Sequence, residues 1–171
     1  MASNGPTSVK SDRVGAVRRL ANRRFREQVG RFLVEGPQGV LEAVRHQPEC
    51  VDEVFVVAGQ ALAVDGVKVT EVPEPVLLAM TETVHPQGVA AVCRFLPFAP
   101  PDDPQLIVVL HEVRDPGNAG TILRTADAAG ADAVYFTGDS VDPYNGKCVR
   151  STAGSLFHIP FMSCALSDVP M

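Results

Sequence analysis

No run of apolar residues in this chain approaches the ~20 needed to cross a membrane as a helix, and the first ten residues, MASNGPTSVK, lack the apolar core of a signal peptide. The sequence therefore reads as a cytoplasmic protein. Cysteine is sparse. Cys50, Cys93, Cys148 and Cys164 are scattered singly, no C-x-x-C occurs, and the four histidines do not pair with them at ligand spacing. This excludes a disulfide framework and a zinc site, and leaves reduced, structural thiols and no metal. Gly15, Gly30, Gly36 and Gly39 do not make a dinucleotide-binding fingerprint, and no G-x-x-x-x-G-K-[ST] is present. A nucleotide-dependent Rossmann enzyme is disfavoured for that reason.

What is present suits one or two soluble domains: 171 residues, 46% of them hydrophobic. The net charge of −5 is unevenly spread. Between Lys10 and Arg31 stand eight basic residues (Lys10, Arg13, Arg18, Arg19, Arg23, Arg24, Arg26, Arg31) against Asp12 and Glu27, so this segment carries +6 and the remainder −11. A concentrated basic arm on an acidic body is the electrostatic footprint of a phosphate-binding surface. Seven of the eight are arginine, which suits bidentate phosphate contacts. The plainer alternative is an exposed, salt-bridged helix. Acidic partners at i±4 are scarce, so Arg18, Arg19, Arg23, Arg24 and Arg26 become candidate RNA contacts.

Residues 11–29 read as one helix opening at Ser11-Asp12, with Val14, Val17 and Leu20 as its apolar stripe. A strand at 32–34, a helix at 38–46, strands at 51–58 and 67–72, a short helix at 75–81 and a strand at 88–95 complete a small α/β unit over residues 1–95. Residues 96–104, LPFAPPDDP, hold four prolines and two aspartates and read as a linker. Beyond it the pattern is strand 106–111, helix 118–129, strand 133–137, helix 144–154 and strand 159–163. That alternation predicts right-handed crossovers and a parallel sheet over residues 105–171.

The stretch 106–130, LIVVLHEVRDPGNAGTILRTADAAG, is the most informative. Its apolar start reads as a buried parallel strand, and Asp115-Pro116-Gly117-Asn118 is turn and helix-start chemistry. On the helix, Ile122, Ala126 and Ala129 share one stripe, and Arg124 lies about 200° from Ile122. Arg124 then projects from the strand-to-helix crest, where open α/β sheets keep their ligand sites. An ordinary solvated arginine is the competing reading. Asn118 has one too, since asparagine is a preferred N-cap.

Asn118, Gly120 and Arg124 in the frame DPGNAGTILRTADAAG resemble the first motif of the SpoU-type (TrmH-like) SPOUT RNA methyltransferases. VDPYNGKCVRSTAGSLFHIP (141–160) resembles that family's later Lys, Arg, Ser, Gly, Ser run. FLVEGPQGVLEA (32–43) and TETVHPQGVAAV (81–92) look like its small N-terminal substrate-binding domain. The resemblance implies an α/β chain: a ribosomal-protein-like RNA-binding domain, then the first part of a parallel-sheet, knotted catalytic domain. It implies methyl transfer from S-adenosylmethionine to a ribose 2′-hydroxyl of RNA, most often ribosomal and in some members transfer RNA, by a homodimer.

By the same resemblance Arg124, supported by Asn118, is catalytic, and Lys147, Arg150 and Ser151 line the RNA side of the cleft. An arginine base is chemically awkward, because a free guanidinium holds its proton far above neutral pH. Arg124 as base and Arg124 as orienter of the ribose-phosphate both stay open. Glu35, before Gly36-Pro37, reads as a structural acceptor of backbone N–H bonds, and Gln87-Gly88 as turn chemistry. The family's cofactor motifs contain glycine, and no glycine follows Gly154. The cofactor contacts are therefore expected beyond residue 171, in a longer enzyme of which this sequence is a truncated version. The expectation for this chain by itself is RNA binding without cofactor binding. A non-catalytic RNA-binding protein using the basic N-terminal domain is the alternative.

Overall fold

A computed structural model of the chain describes residues 3–170. It divides into two compact units, residues 1–95 and 96–171. In the first, β1 (Ser3–Asn4) precedes α1 (Asp12–Arg18), a 3-10 turn (Arg19–Ala21) and α2 (Arg23–Val29). Then come β2 (Arg31–Glu35), α3 (Pro37–His46), β3 (Val51–Val57), β4 (Val69–Val72), α4 (Glu74–Met80) and β5 (Val89–Arg94). The strands form one mixed sheet in the order β1-β4-β3-β5-β2, with β3 parallel to β4 and antiparallel to β5. Val14, Val17 and Leu20 pack with Leu33, Phe55, Leu77 and Met80 in its core.

The single helix expected at 11–29 is two helices. Ser11 caps α1 by accepting from the Arg13 N–H. Asn22, in an extended conformation, caps α2 by accepting from the Phe25 N–H at 3.1 Å. A polar residue that hydrogen-bonds the backbone competes with helix continuation, and here it turns the chain into an elbow. The elbow leaves carbonyls without helical partners. Arg26 meets them: its Nη1 donates to Leu20 O at 2.8 Å and to Ala21 O at 2.9 Å.

In the second unit β6 (Ile107–His111), β7 (Ala133–Thr137) and β8 (Phe161–Ser163) form a parallel sheet in sequence order. They are joined through α5 (Pro116–Ala128) and α6 (Gly146–Ser151). The helix expected at 144–154 is shorter because Asn145 caps it at one end and Ala153 and Gly154, both with positive φ, lie beyond the other. All five residues of β7 are buried. Tyr135 and Ala133 pack on one face with Val169, Ile107 and Met162. Val109, on β6, remains exposed.

The proline-rich segment carries neither helix nor strand, yet it is packed. The Leu96 N–H donates to the Tyr144 hydroxyl at 2.9 Å, and the Phe98 ring meets Phe161 edge-on at 5.6 Å. Proline composition rules out regular structure here without ruling out burial of the apolar residues between the prolines.

Candidate active site and nucleic-acid interface

The loops after β6 and β7 build a crest at the carboxyl ends of the parallel strands, where such sheets bind ligands. Glu112 holds the left-handed conformation, φ +56°, and closes β6 by donating its N–H to Thr137 O. A non-glycine residue in that region is uncommon and tends to mark functional turns. His111 Nδ1 lies 3.0 Å from Thr137 Oγ1. Ser140 ties the two loops together. Its hydroxyl sits 2.8 Å from Leu110 O and 2.7 Å from Thr137 O, and accepts from the Val113 N–H at 3.0 Å.

Asp115, and not Asn118, caps α5, which begins at Pro116 rather than at 118. The Asp115 carboxylate accepts from the Asn118 N–H at 2.8 Å. That bond, followed by the charge of Lys147, holds the Asp115 carboxyl below its usual range. Asn118 is thereby relieved of capping, and its exposed amide has no hydrogen-bond partner among the described residues.

The buried face of α5 is Ala119, Gly120, Leu123 and Ala126. The expected stripe of Ile122, Ala126 and Ala129 is corrected on two of its three members, since Ile122 is half-buried and Ala129 exposed. Gly120 explains the rotation. A Cβ there would meet Cys148 O at 2.5 Å and Ser151 Cβ at 2.6 Å, so α5 packs its glycine directly against α6. Arg124 then lies one residue, about 100°, from buried Leu123, at the flank of the contact rather than opposite it. It is exposed and forms no ion pair among the described residues. Asn118, Thr121 and Arg124 make an i, i+3 row along this exposed flank. The sequence reading passed over Thr121.

Lys147 is exposed at the start of α6, its Nζ 3.5 Å from Asp115 Oδ2, so it shares the crest with the head of α5. Ser151 donates its hydroxyl to Lys147 O at 2.8 Å. Arg150 is half-buried with its Nη1 shielded from solvent. Burial pushes the Cys148 thiol up to about 12 and raises those of Cys50 and Cys93 as well. None of these three is a thiolate nucleophile at neutral pH.

In the N-terminal unit the basic arm is sorted by the fold. Arg26 is 2% exposed and serves the elbow, so it is corrected from RNA contact to structural residue. A guanidinium closed over two carbonyls cannot reach a phosphate. Arg13 pairs with Glu53 of β3, and Arg31 with Asp52. Burial alone would raise the Glu53 carboxyl, but hydrogen bonds from Arg13, Thr70 and Lys68 outweigh it and hold it below the usual range. Arg23 pairs with Glu27 one turn on. Arg18, Arg19 and Arg24 are exposed and without a carboxylate partner among the described residues. Glu35 does accept backbone N–H bonds, from Glu82 at 2.7 Å and Thr83 at 3.2 Å.

A parallel β/α unit with its polar crest, preceded by a small mixed-sheet unit bearing exposed arginines, defines an α/β protein of two units. Residues 105–168 match the SpoU rRNA Methylase family and residues 11–91 the MRM3-like substrate binding domain. The chain thus carries a SpoU methylase domain preceded by an MRM3-like substrate-binding domain.

The 23S rRNA (guanosine(2553)-2′-O)-methyltransferase RlmP of Bacillus subtilis is 38% identical over 156 residues, covering 90% of this chain and 62% of the relative. The AdoMet-bound rRNA methyltransferase from Sinorhizobium meliloti superposes with a TM-score of 0.80 at 32% identity, over 95% of this chain and 65% of that one. The SpoU methyltransferase AviRb from Streptomyces viridochromogenes, in complex with the cofactor AdoMet, superposes with a TM-score of 0.79 at 28% identity, over 91% and 64%. The chain spans about three-fifths of the length of curated relatives it matches.

Proposed function

We propose that the protein methylates a ribose 2′-hydroxyl of ribosomal RNA, with S-adenosylmethionine as the methyl donor. The N-terminal unit grips the RNA, and the crest of the second unit receives the target nucleotide. The observation that carries this reading is the division of labour on α5. Asp115 caps the helix and Gly120 packs it, which leaves Asn118 and Arg124 exposed on one flank with no structural task among the described residues. The names of the relatives support the reaction and its donor.

At the crest Arg124 has no carboxylate partner among the described residues, whereas Lys147 lies 3.5 Å from Asp115 and Arg114 3.2 Å from Asp139. A guanidinium so placed suits a ribose-phosphate and does not suit a sulfonium cation. Arg124 and Asn118 therefore face the RNA rather than the cofactor. What the described residues do is hold RNA. The planar fork of Arg124 suits a bidentate contact with the phosphate of the target nucleotide. The amide of Asn118 reaches the same flank and can accept from the ribose hydroxyl. Lys147 adds charge for a neighbouring phosphate.

The test is methylation of ribosomal RNA with S-adenosylmethionine carrying a labelled methyl group, followed by alkaline hydrolysis. A 2′-O-methyl group blocks cleavage at its own linkage, so the label is expected in alkali-resistant dinucleotides. Label released as mononucleotide base adducts refutes the reading. Transfer RNA is the second substrate to assay. The homodimer the resemblance implies is checked by light scattering.

A further inference from the structure

The elbow of the N-terminal unit holds a feature that ribose methylation does not require. The Arg19 guanidinium sits over the Phe25 ring, 4.0 Å from its centroid. Phe25 itself is half-buried against the core, so it is a fixed platform. Beside the pair, Asn22 turns the chain and opens a recess of about 300 Å³ lined by Arg19, Asn22, Arg24, Phe25 and Gln28. No carboxylate lines it. Asn22 Oδ1 is occupied by the Phe25 N–H, whereas the Gln28 side chain is exposed.

We propose that this recess binds one unpaired nucleotide of the RNA, its base stacked on the Arg19 guanidinium, its phosphate against Arg24 and its base edge within reach of Gln28. The inference rests on the RNA-substrate reading above and adds which part of the RNA is held.

Three physical points carry it. A guanidinium plane already held over an aromatic ring presents its second face for a base, and proteins read single-stranded RNA by stacking bases on aromatic rings and arginine planes. The volume lies at the low end of small-ligand clefts, about 300–1,000 Å³, enough for a single nucleotide and too small for a helix. Of the three arginines of the arm that have no carboxylate partner among the described residues, Arg18, Arg19 and Arg24, the last two line the recess. Arg13, Arg23 and Arg31 have carboxylate partners and Arg26 is buried, whereas Arg19 and Arg24 have no carboxylate partner among the described residues. A base inside a duplex is already stacked on its neighbours and cannot enter, so the site selects loops, bulges and ends.

The experiment compares two labelled RNAs by fluorescence anisotropy: a hairpin with a single-stranded loop and a blunt duplex of equal length. Arg19→Lys keeps the charge and removes the stacking plane. It is expected to weaken hairpin binding about tenfold, within the range for losing one stacked base, and to leave duplex binding unchanged. Phe25→Leu keeps apolar bulk against the core but removes the platform, and should produce a smaller loss with the same preference for the hairpin. Arg24→Gln should weaken both RNAs and flatten the salt dependence.

Equal affinity of Arg19→Lys and the unmodified protein for the hairpin overturns the subsite, as does an equal loss on both RNAs. A hairpin-selective loss that comes with a large fall in melting temperature also overturns it, since Arg19 and Phe25 would then be a structural clasp. If the unmodified protein binds neither RNA, the RNA-substrate reading fails as a whole; hairpin binding that ignores Arg19→Lys removes only the subsite.

Discussion

The elbow at residues 10–31 and the crest around residues 111–151 both present basic side chains, but they make them available in opposite ways. At the elbow the arginines themselves hold the fold. Arg26 closes the helix break, and Arg13 and Arg31 tie the segment to β3. At the crest the structural tasks fall to residues of other kinds, an aspartate cap and a packed glycine, so Arg124 is left exposed. Residue type alone therefore says little about what an arginine does. The unsatisfied backbone and carboxylate groups around it decide.

That contrast is sharpest at Arg26. Its replacement by alanine leaves two carbonyls of the elbow without their donor. Hydrogen bonds to charged groups contribute about 1.5–3 kcal/mol each, so Arg26→Ala is expected to cost about 3 kcal/mol or more. For a unit of this size the melting temperature should fall on the order of 15 °C, as calorimetry would show. A fall of only a degree or two would mean that the elbow holds without it.

Arg124→Ala, in an enzyme that also carries the cofactor contacts, is expected to do the reverse: no change in melting temperature, and a kcat for methyl transfer lower by about 10²-fold, the range for losing a positioning or acid–base group. Arg124→Lys should fail almost as badly, because lysine keeps the charge and loses the planar fork. Near-normal turnover with lysine would reduce the role of Arg124 to that of a point charge.

Gly120→Ala tests whether the crest depends on its packing. The new methyl would press on the Cys148 carbonyl, a backbone atom that cannot swing aside. A cost of about 1–3 kcal/mol is expected, read as a lower midpoint in urea with an unchanged slope. Stability equal to the original would show that α5 and α6 can part freely. The smallest effects belong to Arg23→Ala and Arg24→Ala. Each should weaken RNA binding and flatten its salt slope, with stability changed by less than about 0.5 kcal/mol. A large loss of stability for either would place it with Arg26.

Much of this was legible in the residues. The strands were readable from their apolar runs and the crest from Asp115-Pro116-Gly117-Asn118, because those signals are local. The motif that resembles the SpoU family led to Asn118 and Arg124 before any geometry. The misses share a cause. The partners of Arg13 and Arg31 stand 40 and 21 residues away on β3, beyond any i±4 count. The break at Asn22 depends on whether a side chain caps or points to solvent, and both suit asparagine. The rotation of α5 comes from a glycine that meets another helix, and its periodicity alone could not show that meeting.

Ser140 leaves a consequence for motion. One hydroxyl joins the end of β6, the loop after it and the turn after β7, so neither loop can swing without breaking a bond held by the other. In hydrogen exchange the Val113 amide, although it lies outside any helix or strand, should be protected alongside the ends of both strands. It should lose that protection in the same opening event as they do. The crest would then breathe as one unit, and a nucleotide arriving there would meet a surface that is either wholly formed or wholly open.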